Sequence, residues 1–141
     1  RNEAVMRRLM PFLQVICVLS ASPTLYAQAA GVTKPQLVLQ ELIRGMPQGA
    51  EQDIRIMTAD FKPGDRTVFH THRFPVAVYI LSGAFTLELE GQAPRVIKAG
   101  EAFVEPPNVK MTGFNRSTRE ALHLVIFYVS DPGTPFLDPI H

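Results

Sequence analysis

The stretch Pro63–Gly83, PGDRTVFHTHRFPVAVYILSG, opens on a Pro-Gly-Asp turn, sets two histidines on alternate residues, and runs into an apolar, β-branched segment that stops at Ser82-Gly83. The whole chain has four histidines, so half of them fall within three residues. Side chains two apart on a strand share a face, which lets His70 and His72 look to one side while Thr71 looks to the other. Two neutral imidazoles converging on one point suit Zn, Fe, Ni or Cu, provided further donors join them.

The sequence downstream of residue 30 reads as strands and turns throughout. Apolar or β-branched runs occur at QLVLQELI, DIRIMTADF, VAVYIL, AFTLELEG, RVIKAG, EAFVEP and ALHLVIFYV. Turn chemistry separates most of them, at Gly45-Met46-Pro47, Pro63-Gly64-Asp65, Ser82-Gly83, Glu90-Gly91, Ala99-Gly100 and Pro106-Pro107-Asn108. TLELEG alternates, with Leu87 and Leu89 on one face and Glu88 and Glu90 on the other. LVLQELIRGM is the one stretch that fits a helix as well as a strand. Short strands spaced by Gly and Pro predict an all-β sandwich or barrel in a single domain.

Residues 1–29 stand apart from that pattern. From Met6 the chain shows a short basic region (Arg7, Arg8), an apolar run from Leu9 to Leu19, and small or polar residues ending in Ala27-Gln28-Ala29. This is the layout of a secretory signal with upstream residues before it, so the expected division is 1–29 signal and 30–141 folded domain, in a periplasmic or secreted protein. The apolar run is short for a membrane span and Pro11 and Pro23 bracket it, so no membrane association is expected of the mature form. Removing this segment also removes Cys17, the single cysteine, and with it disulfide and thiolate chemistry. It takes away Arg1, Arg7, Arg8 and Glu3 as well, leaving 11 basic against 12 acidic residues. A near-neutral domain has no electrostatic footprint for nucleic acid.

The spacing resembles a known pattern. Gly64, five residues, His70-Thr71-His72, three residues, Val76, six residues and Gly83 resemble the first cupin motif, in which a Glu stands at the Val76 position. Gly100, five residues, Pro106-Pro107-Asn108, two residues, Met111, three residues and Asn115 resemble the second, which has Gly at the Asn108 position and His at the Met111 position. The resemblance implies a cupin double-stranded β-helix, a jelly-roll barrel of six to eight strands around a central pocket, commonly a homodimer. It also implies a divalent metal held by the two histidines, the Glu and the last His. Here the Glu and the last His are replaced by Val76 and Met111.

The expected metal residues are therefore His70 and His72, with Met111 and His123 as further candidates and Glu105 another. Met111 would offer a soft thioether and bias the site toward copper, or would simply pack. The ion, if there is one, is Zn, Fe, Mn, Ni or Cu. The pocket is expected to include Phe74, Val76, Tyr79, Met111 and His123. Arg73 either attracts an anion or covers a rim, and Glu105 is either a solvated carboxylate or a buried acid. The tail PGTPFLDPIH is expected to pack over the barrel or a dimer partner, with disorder as the alternative. Three functions fit: an exported cupin binding a small organic ligand around His70 and His72, with or without a divalent metal; a metal-dependent cupin enzyme, dioxygenase or isomerase-like; and a periplasmic copper-binding protein using His70, His72 and Met111.

Overall fold

Period-two patterning and Gly-Pro punctuation translate into strands alone. The computed structural model describes residues 30–141; the expected signal, residues 1–29, lies outside the described residues. Among the described residues nine strands follow one another: β1 Asp53–Phe61, β2 His70–Thr71, β3 Val76–Ser82, β4 Ala84–Leu89, β5 Arg95–Lys98, β6 Ala102–Glu105, β7 Met111–Phe114, β8 Leu122–Ser130 and β9 Asp138–Pro139. They form two antiparallel sheets, ordered β1-β8-β3-β6 and β5-β4-β7-β2-β9. The crossing of sequence neighbours between sheets is that of a jelly roll, as the resemblance to the cupin motifs implies.

Each predicted run from DIRIMTADF onward becomes a strand, because alternation with β-branched residues fits a pleated, half-buried surface. QLVLQELI does not. Residues 36–43 form no regular element, and Leu37 and Leu42 are exposed. Its apolar residues fit helix and strand patterns about equally, and no partner strand decides between them. The short strands β2, β7 and β9 carry no period of their own, since two to four residues hold too few side chains to show one.

The inner faces of the two sheets build the core. Val76, Val78 and Ile80 of β3 meet Phe85, Leu87 and Leu89 of β4, with Ile97, Phe103, Met111, Leu122, Leu124 and Tyr128 around them. Phe61 of one sheet meets Phe85 of the other edge to face, with centroids 6.0 Å apart. Each of these aliphatic and aromatic side chains contributes about 1.5–3 kcal/mol by leaving water.

The turns obey backbone sterics. Gly83 has φ 79°, and a Cβ there would lie 2.6 Å from the Ala121 carbonyl oxygen, so only glycine fits between β3 and β4. Asn108 stands where the resembled motif has Gly and adopts φ 60°, a left-handed conformation that asparagine tolerates better than most residues.

One buried side chain ties the two motifs together. Asn115 is 2% exposed, and its amide donates to the carbonyls of Phe61, Lys62 and Glu120 at 3.2, 3.1 and 2.8 Å. Its Oδ1 accepts from the Ser117 backbone N–H. The Gly64 N–H donates to the Asn115 carbonyl, and the Asn115 N–H donates to the Asp65 carbonyl. Replacing Asn115 by Ala removes the partner of three part-buried carbonyls, so N115A is expected to lower unfolding free energy by about 2 kcal/mol in urea denaturation, an orphaned buried group costing about 1–3 kcal/mol and a solvent-reachable one less.

Candidate functional site

His70 belongs to β2, where it pairs in register with Met111 of β7 on one side and Pro139 of β9 on the other. His72 lies just beyond β2, its carbonyl fixed by the Asn108 N–H at 2.7 Å. Strand alternation sends both rings inward. They are 4% and 1% exposed and meet edge to face, with centroids 4.7 Å apart.

The hydrogen bonds define their tautomers. His70 Nδ1 lies 2.6 Å from the Val68 carbonyl oxygen, and His72 Nδ1 lies 2.6 Å from that of Phe136. A carbonyl only accepts, so each Nδ1 carries a proton, and a ring that is neutral presents a lone pair at Nε2. The two Nε2 atoms face each other at 3.1 Å. Glu105 Oε2 lies 3.2 Å from His72 Nε2. Burial pushes the His70 imidazole below the ordinary histidine range, outweighing the Val68 hydrogen bond, so the neutral form prevails at neutral pH. A proton on His72 Nε2 would make the contact with Glu105 a buried ion pair, and a cation shared by the three groups would serve the same purpose.

Of the two states open to Glu105, the buried acid is the one found. It ends β6 and is 5% exposed. In the β3–β6 ladder its direct partner is Val76, and directly opposed residues of an antiparallel pair share a face. A carboxylate in such a place costs several kcal/mol unless it is paired. The signal available in the sequence was EAFVEP itself, where alternation from Phe103 puts Glu105 on the inner face.

These three side chains sit at one end of a cavity of about 130 Å³ whose other walls are mostly apolar: Ala59, Phe61, Thr67, Val78, Phe85, Gly113, Leu124, Ile126, Phe136 and Leu137. Gly113 is required by contact rather than by φ, since a Cβ there would lie 2.3 Å from the Phe85 ring. The C-terminal tail closes the space. Phe136 packs on His72 and Tyr128, with centroids 4.8 and 5.4 Å away. Arg73 grips Asp138 with two bonds of 2.8 and 2.9 Å, and this pairing raises the guanidinium pKa and lowers that of the carboxyl. Arg73 is thus engaged with the tail, beside the pairing of β2 with β9.

Of the residues expected in the pocket, Phe74, Val76, Tyr79, Met111 and His123 all fall outside the cavity wall. Val76 and Met111 are fully buried and belong to the core. Phe74 is half-buried and packs against that core. Tyr79 alternates to the outer face of β3, where it borders a groove with Leu37, Ala77 and Phe127. His123 alternates outward on β8, is largely exposed, and pairs with Asp60 across the β1–β8 ladder. In runs as apolar as VAVYIL and LHLVIFYV, composition does not say which face is inside; pairing with a second sheet does. The residues that replace them in the wall, Phe136 and Leu137 above all, come from a tail with no strand pattern.

The two imidazole Nε2 atoms are spaced as neighbouring donors to one ion would be. Neighbouring donors around an ion bound at about 2.0–2.2 Å lie about 2.8–3.6 Å apart, for angles from a right angle to the tetrahedral one, and the gaps of 3.1 and 3.2 Å fall within that range. Both imidazoles already donate their outer N–H to a carbonyl, as metal-bound histidines commonly do. As they stand the three form a row with His72 in the middle, and among the described residues no three His, Cys, Asp or Glu side chains are grouped as a cage for an ion.

Two antiparallel sheets enclosing an apolar cavity with inward histidines define a jelly-roll barrel with an internal site. The chain belongs to the cupin family, as the Cupin domain matches residues 57–127. No curated protein matches it. Among solved structures it is similar to a cupin-like protein from Thermotoga maritima, at 22% identity and TM-score 0.53, over 62% of this chain and 64% of that one. It is also similar to the DMSP lyase DddQ from Ruegeria pomeroyi, at 16% identity and TM-score 0.51, over 68% of this chain and 57% of that one. The chain spans less than two thirds of either, and likeness at these identities concerns the fold.

Two variants probe the placements above. M111L, a swap of similar volume, should cost less than about 1.5 kcal/mol and leave the affinity for copper and zinc unchanged in calorimetric titration. F136A removes the ring over His72 and should cost about 3 kcal/mol in urea denaturation, the low end for a buried phenylalanine because this one is half-buried.

Proposed function

We propose that this chain is an exported cupin that holds a divalent metal ion on His70 and His72 and binds a small organic molecule in the cavity beside it. The observation that carries the reading is the pair of Nε2 atoms facing each other at 3.1 Å while both Nδ1 protons are engaged by carbonyls. Neutral imidazoles in that state are ligands, and a buried carboxylate close by favours Zn, Fe, Mn or Ni over copper. Met111 is the direct partner of His70 across β2 and β7 but lies outside the cavity wall, so the copper reading has that register alone in its favour. The ion would supply Lewis acidity to an oxygen or nitrogen of the bound molecule.

The chain's own residues limit what that molecule can be. A cavity of about 130 Å³ is close to the benzene-binding scale, well below the space a nucleotide or sugar requires. Phe61, Phe85, Ile126 and Phe136 favour an apolar body, and the His70–His72–Glu105 end favours one polar head. The export part of the proposal rests on the signal layout of residues 6–29. A homodimer is part of it too, supported by Ile54, Ile56 and Phe127, exposed on the outer face of one sheet.

Elemental analysis by mass spectrometry on the full chain, purified without a metal-affinity tag, tests the reading. About one ion per chain is expected in the parent and none in H70A/H72A. A folded parent without metal after supplementation with Zn, Mn, Fe and Ni would overturn it.

A further inference from the structure

We infer that a second copy of this chain pairs with the free edge of β1, strand against strand, about a two-fold axis beside Ile56. The inference rests on the homodimer reading and deepens it, naming the edge and the register through which two copies meet. Each sheet ends on two strands, β1 and β6 in one, β5 and β9 in the other. An unpaired edge presents a row of N–H and C=O groups to any passing strand, so soluble proteins keep edges short or guard them with charge, proline or a bulge. Three of the four edges are guarded in this way. β6 has four residues and runs into Pro106-Pro107, β5 has four with Arg95 and Lys98 at its ends, and β9 has two, one of them Pro139. β1 is the exception. It has nine residues, no proline or lysine, and an unbroken register with β8, the one strand that pairs with it among the described residues. Its outer face presents Ile54 and Ile56, 74% and 66% exposed.

The residues of the strand suit a second copy and select one register. Directly opposed residues of an antiparallel pair share a face, so the outward residues Ile54, Ile56, Thr58 and Asp60 oppose only one another or an outward neighbour. An axis at Arg55 sets that cation against its own copy, and an axis at Met57 sets Ile54 against Asp60. An axis at Ile56 does neither. Ile56 then meets Ile56, Ile54 meets Thr58, Arg55 meets Met57, and Asp60 meets the uncharged Gln52. Apolar pairs placed opposite each other stabilise a ladder and like charges destabilise it. Axes nearer either end of β1 overlap fewer residues. Pairing of a strand with its own copy is isologous and closes after two chains, so both edges are consumed and none is left to recruit a third. Phe127, the β8 partner of Ile56, continues the same outer face in each copy.

Sedimentation and amide hydrogen exchange on the full-length chain test the pairing. On a free edge alternate amides point away from β8 and exchange fast, whereas a strand paired on both sides protects consecutive amides. The expected result is a dimeric parent with slow exchange at every residue from Ile54 to Thr58; alternating fast and slow exchange overturns the inference. I56K sets two lysines opposite each other at an exposed position and is expected to weaken dimerisation about tenfold or more. In a C17S background, oxidation should link I56C into a covalent dimer, because opposed Cβ atoms lie about 4.5–5.5 Å apart. I54C, offset from its own copy by four residues or about 13 Å, should stay unlinked. A dimer that I56K leaves intact and I56C fails to link overturns the edge pairing and leaves the homodimer reading standing on the outer face of the sheet. A monomeric parent overturns both.

Discussion

A histidine whose Nδ1 proton is held by a backbone carbonyl cannot be a donor at Nε2 while it stays neutral, and this barrel imposes that condition on two rings at once. Val68 and Phe136 supply the carbonyls, each at 2.6 Å. With both outer nitrogens engaged, the inner ones face each other and a buried carboxylate. The site's chemistry follows from that constraint. A positive charge among these groups, a proton on His72 or a bound cation, offsets the cost of burying the carboxylate.

Holding the carbonyls in place is the work of the rest of the fold. Val68 precedes β2 in the chain, while Phe136 arrives from the far C-terminus and is kept there by the pairing of β9 with β2 and by the Arg73–Asp138 grip. The tail therefore does three things with one short segment: it orients His72, covers the cavity with Phe136 and Leu137, and adds an edge strand to the sheet. Asn115 plays the equivalent part at the other end of the motifs. Its amide bridges the end of β1 to the turn before β8, and its backbone clasps the Gly64 turn. Neither device depends on burying a large apolar area; each is a small set of directional bonds that fixes the register of larger packed surfaces.

The cavity that results is small and shaped by aromatic rings. Phe85 lies over Gly113, where a side chain has no room, and meets Phe61 across the sheets. These contacts explain why space remains beside the histidines although the barrel is otherwise filled. They also set the scale of any guest, because enlarging the space means moving rings packed at interior density.

Much of this was legible in the residues alone. Alternation and turn glycines determined an all-β sandwich or barrel with two histidines on one face, because strand periodicity and left-handed turns are local properties, and the resemblance of the spacing of His70, His72, Gly83, Gly100 and Asn115 to the cupin motifs implied the jelly roll. The side from which other residues approach was not legible. Tyr79 and His123 face outward, and Glu105 faces in, because their strands pair with neighbours distant in sequence, and a run apolar on both faces carries no mark of which face a second sheet will cover. The role of Phe136 was still further from reach. It depends on a carbonyl meeting an imidazole 64 residues away, a contact that only the closed barrel brings about.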